Sequence, residues 1–338
     1  MGFKRLEAED FLVSSDTVSS TLWTNGDATL HTFTTSSTQE QDRSGKYYLS
    51  VFNTSSEYNG QIQFDIAFGD ENGRGTTAYN STVDASRTYS KTIYGQYRTL
   101  ILEDESAKFH FGNVEQSNFY VLNMSRARYK EKLLPGSFNL SLSGSDSGNP
   151  ALQLTDNSRD VNLPNYYGTQ RAYQIVSGSN GNAYSGTGYT SDSGSYGLFL
   201  PDTGTIMLNA AALDLNNIEG INLSSSLEAN FTGDNPQKLY KAISGSGAFT
   251  LNSEETISSD YIFVRARNSE FNYSENPSFI SGSTGEVIYS YFINNPQVYP
   301  TSIGLYNDSN ELLAVAKLSR PLRKDFTKEA LIRVKLDF

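Results

Sequence analysis

Hydrophobic and polar side chains alternate along many short segments of this 338-residue chain. The alternation is clearest at the end of the sequence, where the apolar positions are Ile332, Val334, Leu336 and Phe338. Charged residues occupy the positions between them. A period of two residues is typical of a strand with one buried face. We therefore expect the chain to end in a β-strand that belongs to a sheet.

Further segments of about four to eight residues carry strand signals and are bounded by Gly, Asn, Asp or Ser. The predicted strands cover residues 47–52, 60–68, 97–103, 108–111, 119–124, 137–142, 261–266, 287–293, 302–306 and 312–318. A turn cluster at 69–73 follows the second of these and predicts a hairpin. Short strands at this spacing favour sandwiches or barrels. The expected fold class is all-β, mostly antiparallel, with β-sandwich or barrel-like domains, a few short helices and long loops.

A short helix or helical turn is predicted over residues 124–134, where good helix formers precede a Pro-Gly stop. This segment carries a basic cluster in an otherwise acidic protein. Its members are Arg126, Arg128, Lys130 and Lys132. The sequence leaves two interpretations open, a solvated helix face or a contact patch for an acidic neighbouring subunit.

The patterns divide the chain into an N-terminal β domain over 1–145, a central irregular or β region over 146–255 and a C-terminal β domain over 256–338. The central region includes a Gly/Ser/Tyr-rich segment at 177–197, whose low apolar content indicates an exposed loop or arm. Its candidate contact residues are Tyr184, Tyr189 and Tyr196. Tyrosine supplies amphipathic contact area, so the segment either orders against a partner or is a plain mobile loop.

The composition supports a sheet-rich protein, with 22 Tyr and 19 Phe but a single Trp and no Cys. The formal net charge of -11 argues against a nucleic-acid partner, because phosphate neutralisation requires a surplus of Lys and Arg. We also expect no membrane span, since no apolar run reaches the ~20 residues that a bilayer requires. The charged start of the chain predicts no secretory signal. The absence of Cys excludes disulfides and thiolate metal sites.

Candidate catalytic chemistry is sparse. The two histidines, His31 and His110, occupy ordinary strand-like positions, and we find neither a zinc motif nor a Gly-x-Ser-x-Gly elbow. We therefore expect no catalytic residue, no metal site, no cofactor and no enzymatic activity. A pair of glycosidase carboxylates comes from separate strands and cannot be named from sequence, so a depolymerase-like glycosidase ranks last among the functions considered.

Four segments resemble virion structural proteins of contractile-tailed, T4-like phages of marine cyanobacteria. They are residues 126–140, 194–201, 268–279 and the C-terminal segment from Gly304 onward. Residues 304–316 are also similar to a hairpin of baseplate-proximal and fibre-attachment proteins. The resemblance spans most of the chain and carries no catalytic motif. It implies a tail or baseplate component of the virion that assembles in the host cytoplasm, as a homo- or hetero-oligomer with other tail proteins.

The leading hypothesis is a non-enzymatic structural subunit of a contractile phage tail, associated with the baseplate, that connects neighbouring subunits or fibres. The extended, aromatic segment 271–279, with Phe271, Tyr273 and Phe279, either docks on a partner or packs as an ordered loop on its own domain. The alternative function is a receptor-binding adhesin that recognises host-surface glycan through the tyrosines of the 177–197 segment.

Overall fold

The structure is a computed structural model that describes residues 3–23, 26, 28, 30, 48–54, 59–76, 88–144, 151–161, 164–184, 194–227, 234–246 and 248–337. The described residues form mostly antiparallel β-structure with few short helices, which confirms the predicted fold class. The chain divides into two compact units. The central unit is Val18–Glu255, and the terminal unit combines Met1–Thr17 with Thr256–Phe338.

The regular elements are numbered in chain order. The strands are β1 (Phe11–Thr21), β2 (Tyr48–Phe52), β3 (Ile62–Asp70), β4 (Phe109–Phe111), β5 (Val114–Gln116), β6 (Asn118–Met124), β7 (Lys132–Leu133), β8 (Asn139–Leu142), β9 (Leu152–Asp156), β10 (Asn165–Tyr167), β11 (Gln170–Ser179), β12 (Asn182–Ala183), β13 (Gly197–Leu200), β14 (Thr205–Asn209), β15 (Phe249–Thr250), β16 (Asn252–Ala266), β17 (Ser302–Tyr306), β18 (Leu312–Lys317) and β19 (Ala330–Asp337). The α-helices are α1 (Tyr89–Tyr97), α2 (Ala210–Leu213), α3 (Asn235–Ser246) and α4 (Ser290–Asn294). Short 3-10 turns lie at Ala8–Asp10 and Arg126–Arg128, and a π-helical turn at Arg98–Leu102 continues α1.

An antiparallel sheet of eleven strands dominates the central unit. Its strand order is β15-β8-β9-β11-β13-β14-β6-β3-β2, and the short strands β10 and β12 also pair with β11. In the middle of the sheet, Val121 of β6 lies opposite Ala67 of β3 and Met207 of β14. Because neighbours in this order are often distant in sequence, most of the sheet depends on long-range pairing.

Both faces of this sheet are buried at its central strands, which explains why β6, β13 and β14 are apolar at consecutive positions. On β6, Tyr120 and Leu122 belong to one apolar cluster, while Phe119 and Val121 belong to another. Helix α3 contributes to the first cluster and helix α1 to the second. Burial of apolar surface is the main favourable term in folding, so the two clusters stabilise the central unit from both sides of the sheet.

In the terminal unit, β16 pairs with β19 in antiparallel register over residues 259–266. Ile262 lies opposite Val334, and both side chains are buried. Exposed residues alternate with buried or half-buried ones along β19. The predicted terminal strand is confirmed over the part that the structure describes. Strands β17 and β18 form a separate two-stranded hairpin.

Two predicted strands are wrong. Residues 97–103 continue helix α1 into the π-helical turn, where Ile101 is fully buried in the second apolar cluster. Residues 287–293 make a single bridge, between Val287 and Ile280, before helix α4 buries Phe292. In both places tertiary packing overrides a local β-preference that comes from aromatic and β-branched residues.

The turn after β3 is also not the predicted hairpin. Strand β3 pairs with β2 and β6, and the next described element along the chain is α1. The side chain of Asp70 accepts hydrogen bonds from the backbone N–H groups of Asn72 and Arg74, each at 2.9 Å. These bonds close the turn locally, so no returning strand is needed.

Candidate interaction surfaces

Of the short helix or helical turn predicted over 124–134, the structure has a single 3-10 turn, followed by the two-residue strand β7. Leu133 of β7 is fully buried and pairs with Ser253, which forces this part of the segment into an extended conformation. In the turn, Arg126 donates from Nη1 to the carbonyl of Tyr129 at 2.6 Å, and its guanidinium lies 4.7 Å from the centre of that ring. Arg128 donates from Nε to the carbonyl of Ile62 at 3.2 Å.

The two lysines of the basic cluster form ion pairs. Lys130 lies 3.8 Å from Glu255 and Lys132 lies 3.5 Å from Glu254. The Lys132 pair is the better shielded from solvent, with side-chain exposures of 19% and 15% against 67% and 42% for the Lys130 pair. Exposed ion pairs contribute only about 0–1 kcal/mol. All four basic side chains therefore bind groups of their own unit.

The candidate tyrosines of the 177–197 segment have different environments. Tyr184 is 64% exposed, and its hydroxyl binds Oε1 of Gln153. Tyr196 is fully buried and donates a 2.6 Å hydrogen bond to the carbonyl of Glu219. Tyr189 lies outside the described residues. Strands β11, β12 and β13 include parts of this segment, so its described residues do not form one exposed arm.

The aromatic segment 271–279 presents two of its three candidate side chains to solvent. Phe271 is 42% exposed and Tyr273 is 51% exposed. Phe279 packs instead against Tyr289 and Phe292, with ring centres 6.0 and 5.5 Å apart. The structure therefore brings Phe271 and Tyr273 to the surface and uses Phe279 within the terminal unit.

A buried lysine that sequence reasoning missed anchors this segment. Lys324 is 1% exposed, and its Nζ donates to Oδ1 of Asn272 at 2.8 Å and to the carbonyl of Asn268 at 3.0 Å. These bonds connect Lys324 to the side chain of Asn272, which lies between Phe271 and Tyr273 in the sequence, and to the backbone at Asn268. Lysine is mostly exposed in proteins, so no sequence pattern pointed to this position.

Exposed apolar side chains are concentrated in the terminal unit. Among the described residues of this unit, four apolar side chains are buried, namely Ile262, Phe292, Ala330 and Val334. Seventeen large ones are exposed, namely Phe3, Phe11, Leu12, Val13, Phe271, Tyr273, Ile288, Tyr289, Tyr291, Ile293, Tyr299, Tyr306, Leu312, Leu313, Val315, Phe326 and Leu331. The described part of the longer central unit exposes seven. Neither buried core cluster contains a residue of the terminal unit.

Charge is also distributed unevenly between the units. The terminal unit contains 11 Lys and Arg against 13 Asp and Glu, whereas the central unit contains 15 against 24. The terminal unit is therefore close to electrical neutrality, and the central unit carries most of the negative charge. Low net charge favours association and high net charge opposes it.

Other potential chemical sites are limited in the described part of the chain. No group of three or more His, Cys, Asp or Glu side chains is placed there to hold a metal ion. His110 lies on β4 with an exposed ring, and His31 is outside the described residues. Two open clefts of about 430 and 410 Å³ lie on the central unit, and neither is lined by a carboxylate.

The longest α-helix that the structure describes, α3, has 12 residues. Within the described ranges, no helix combines the length and apolar character needed to cross a bilayer. Comparisons with protein-family models, with curated proteins and with solved structures returned no match to this chain.

Proposed function

We propose that this chain is a non-enzymatic structural subunit of a contractile phage tail, associated with the baseplate, that connects neighbouring subunits or fibres. The resemblance of four segments to virion proteins of T4-like cyanophages supports the tail assignment. In this proposal the chain assembles in the host cytoplasm and resides in the virion, where its partners are other tail or baseplate proteins.

The observation that carries the structural role is the poor apolar burial of the terminal unit. Ordering its backbone costs conformational entropy at every residue. Burial of one large apolar side chain returns only about 1.5–3 kcal/mol, and four buried apolar side chains offset little of that cost. Seventeen exposed large apolar side chains support a role in which partner subunits cover this unit, because an obligate interface resembles a core divided between two chains.

The identity of the exposed side chains supports protein partners. Tyrosine and phenylalanine are enriched at the centres of protein interfaces because they bury much area at low entropic cost. The exposed set includes Tyr273, Tyr289, Tyr291 and Tyr299. Near-neutral charge on the same unit reduces the repulsion that an approaching acidic subunit would meet.

Electron microscopy of immunogold-labelled virions, from a phage that encodes this chain, tests the location. We expect label on the tail or baseplate and peptides of the chain in purified particles. Particles that lack the chain would refute the proposal.

A matched pair of variants tests the role of the terminal unit. Ile293 is 66% exposed in the terminal unit and Ile218 is 83% exposed in the central unit. Ile293→Asp should reduce incorporation into particles at least tenfold, because it places a charge in the proposed interface. Ile218→Asp should incorporate as the wild type does. Equal incorporation of both variants would contradict an interface at α4.

We do not propose the adhesin role through the tyrosines of the 177–197 segment. Tyr196 is fully buried and its hydroxyl is bonded to Glu219. It can reach a glycan only if the surrounding core opens. Of the two candidate tyrosines of this segment that the structure describes, only Tyr184 is available at the surface.

A further inference from the structure

A cleft in the described part of the central unit has the features of a ligand site. Its volume is about 430 Å³, and its lining residues are Gln96, Tyr97, Leu100, Asn123, Thr203 and Thr205. Small-molecule sites commonly measure about 300–1,000 Å³ and combine apolar or aromatic walls with a few polar groups. This cleft has one aromatic and one aliphatic side chain together with four neutral hydrogen-bonding side chains.

Two different parts of the fold form the cleft. Gln96 and Tyr97 end helix α1, and Leu100 lies in the π-helical turn that follows. Asn123 and Thr205 are a cross-strand pair of β6 and β14. Residues directly opposite each other in an antiparallel pair share one face of the sheet, so these two side chains approach the cleft together. The hydroxyl of Thr205 donates a 3.4 Å hydrogen bond to Oδ1 of Asn123.

Two observations distinguish this cleft from an ordinary surface depression. The π-helical turn is a rare conformation that occurs frequently at functional sites. Leu100 within it is 49% exposed and lines the cleft, so this apolar wall is open to a ligand.

The chemistry of the lining selects the ligand. No lining residue is charged, and the central unit has a surplus of acidic residues, 24 against 15 basic ones. An anionic ligand would find no positively charged partner among the lining residues. Amide and hydroxyl groups match the hydroxyls of a sugar, and the walls formed by Tyr97 and Leu100 match its C–H face. We propose that this cleft binds one neutral hexose residue of a glycan.

This site is separate from the terminal-unit surface, and the inference does not depend on the proposed tail function. Saturation-transfer NMR on the full chain tests it, with the methyl α-glycosides of glucose, galactose and mannose as probes. A ligand of this size that binds with ordinary efficiency has a Kd of about 1 mM. We expect saturation transfer to at least one probe, strongest at its ring C–H protons.

Substitutions in the lining connect that signal to the cleft. Asn123 and Gln96 are exposed, so Asn123→Ala and Gln96→Ala should leave the fold intact and weaken binding about tenfold each, the loss expected for one hydrogen bond. Tyr97→Ala should abolish binding. Tyr166→Ala, at a tyrosine of the same unit that is 63% exposed and outside the cleft, should bind as the wild type does.

Three results would overturn the inference. The first is an absence of saturation transfer from all three probes at about 20 times the expected Kd. The second is equal or stronger binding of methyl glucuronoside, whose carboxylate the cleft should reject. The third is unchanged binding in Asn123→Ala, Gln96→Ala and Tyr97→Ala together, which would place the sugar elsewhere on the protein.

Discussion

The fully buried carboxylate of Asp70 binds both the backbone and the side chain of Arg74. Oδ1 of Asp70 accepts the backbone N–H of Arg74 at 2.9 Å, and Oδ2 accepts from Nη2 at 3.0 Å. The Arg74 side chain is 35% exposed, so solvent reaches one side of the pair. These bonds fix the exit of the chain from the large sheet at the end of β3.

Asp70→Ala should destabilise the central unit by about 3 kcal/mol, because it leaves backbone donors without an acceptor and removes the partner of a half-buried guanidinium. Chemical denaturation followed by circular dichroism measures the change. Asp70→Asn retains an oxygen for the two backbone donors and should cost about half as much. A loss below about 1 kcal/mol for Asp70→Ala would show that the turn does not depend on these bonds.

Gly197 is required by the close packing of the large sheet. Its φ is +158°, and a Cβ placed there would lie 1.9 Å from the carbonyl oxygen of Met207. Since backbone atoms of a central strand cannot move aside cheaply, Gly197→Ala should cost about 3 kcal/mol or more. The midpoint of urea unfolding reports this loss.

Gly95 provides the matched control for this substitution. It lies in helix α1, and nothing lies within 4 Å of a Cβ added there. Gly95→Ala should stabilise the protein by about 0.5–1 kcal/mol, since alanine loses less backbone entropy in a helix. If the two alanine variants had equal stability, the packing explanation for Gly197 would be wrong.

Phe249 packs against both Phe64 and Trp23, the only tryptophan of the chain. Its ring centre lies 4.8 Å from that of Trp23 and 5.3 Å from that of Phe64. Phe249→Ala should cost about 3–5 kcal/mol and shift the Trp23 emission to longer wavelength as water gains access. Tyr166→Ala, at an exposed position, should change the free energy of unfolding by no more than about 0.5 kcal/mol. It should leave the emission wavelength of Trp23 unchanged.

The buried carboxyl of Asp156 makes stability depend on pH. Burial raises the pKa of Asp156, although hydrogen bonds from Ser158 and from the N–H of Gly136 lower it in part. The folded state therefore holds the proton more tightly than the unfolded chain, whose carboxyl titrates near 3.8. The stability that this group contributes is present below pH 3.8 and is lost as the pH rises through the raised pKa. Asp156→Asn should become more stable relative to the wild type between about pH 4 and pH 7.

Asp202 is the matched control with the opposite sign. The hydrogen bonds from Arg171 lower the pKa of Asp202 below its usual value. Its contribution is present above pH 3.8 and is lost as the pH falls through the lowered pKa. Asp202→Asn should therefore cost more at about pH 7 than at about pH 3. Denaturation curves for both variants across this range that showed slopes of the same sign would contradict the two assignments.

The candidate sites were predictable to different degrees. The exposed aromatic residues Phe271 and Tyr273 follow from an extended, aromatic segment with a proline. The burial of Tyr196 does not, because a Gly/Ser/Tyr-rich sequence gives no sign that a neighbouring strand will cover it. The sugar cleft was missed entirely, since its lining residues come from the end of α1, the π-helical turn, β6, β14 and the turn before β14, and only the tertiary structure brings them together.

Alternating side chains determined much of the fold from the sequence alone. The terminal strand and the hairpin β17–β18 lie where the period of two residues placed them, because alternation is a local property of a strand with one buried face. Only the tertiary structure decided that residues 97–103 are helical, that β6 is buried on both faces, and that few apolar side chains of the terminal unit are covered. Those outcomes depend on which distant segments pack together, and burial free energy from such packing exceeds the small local preferences of the chain.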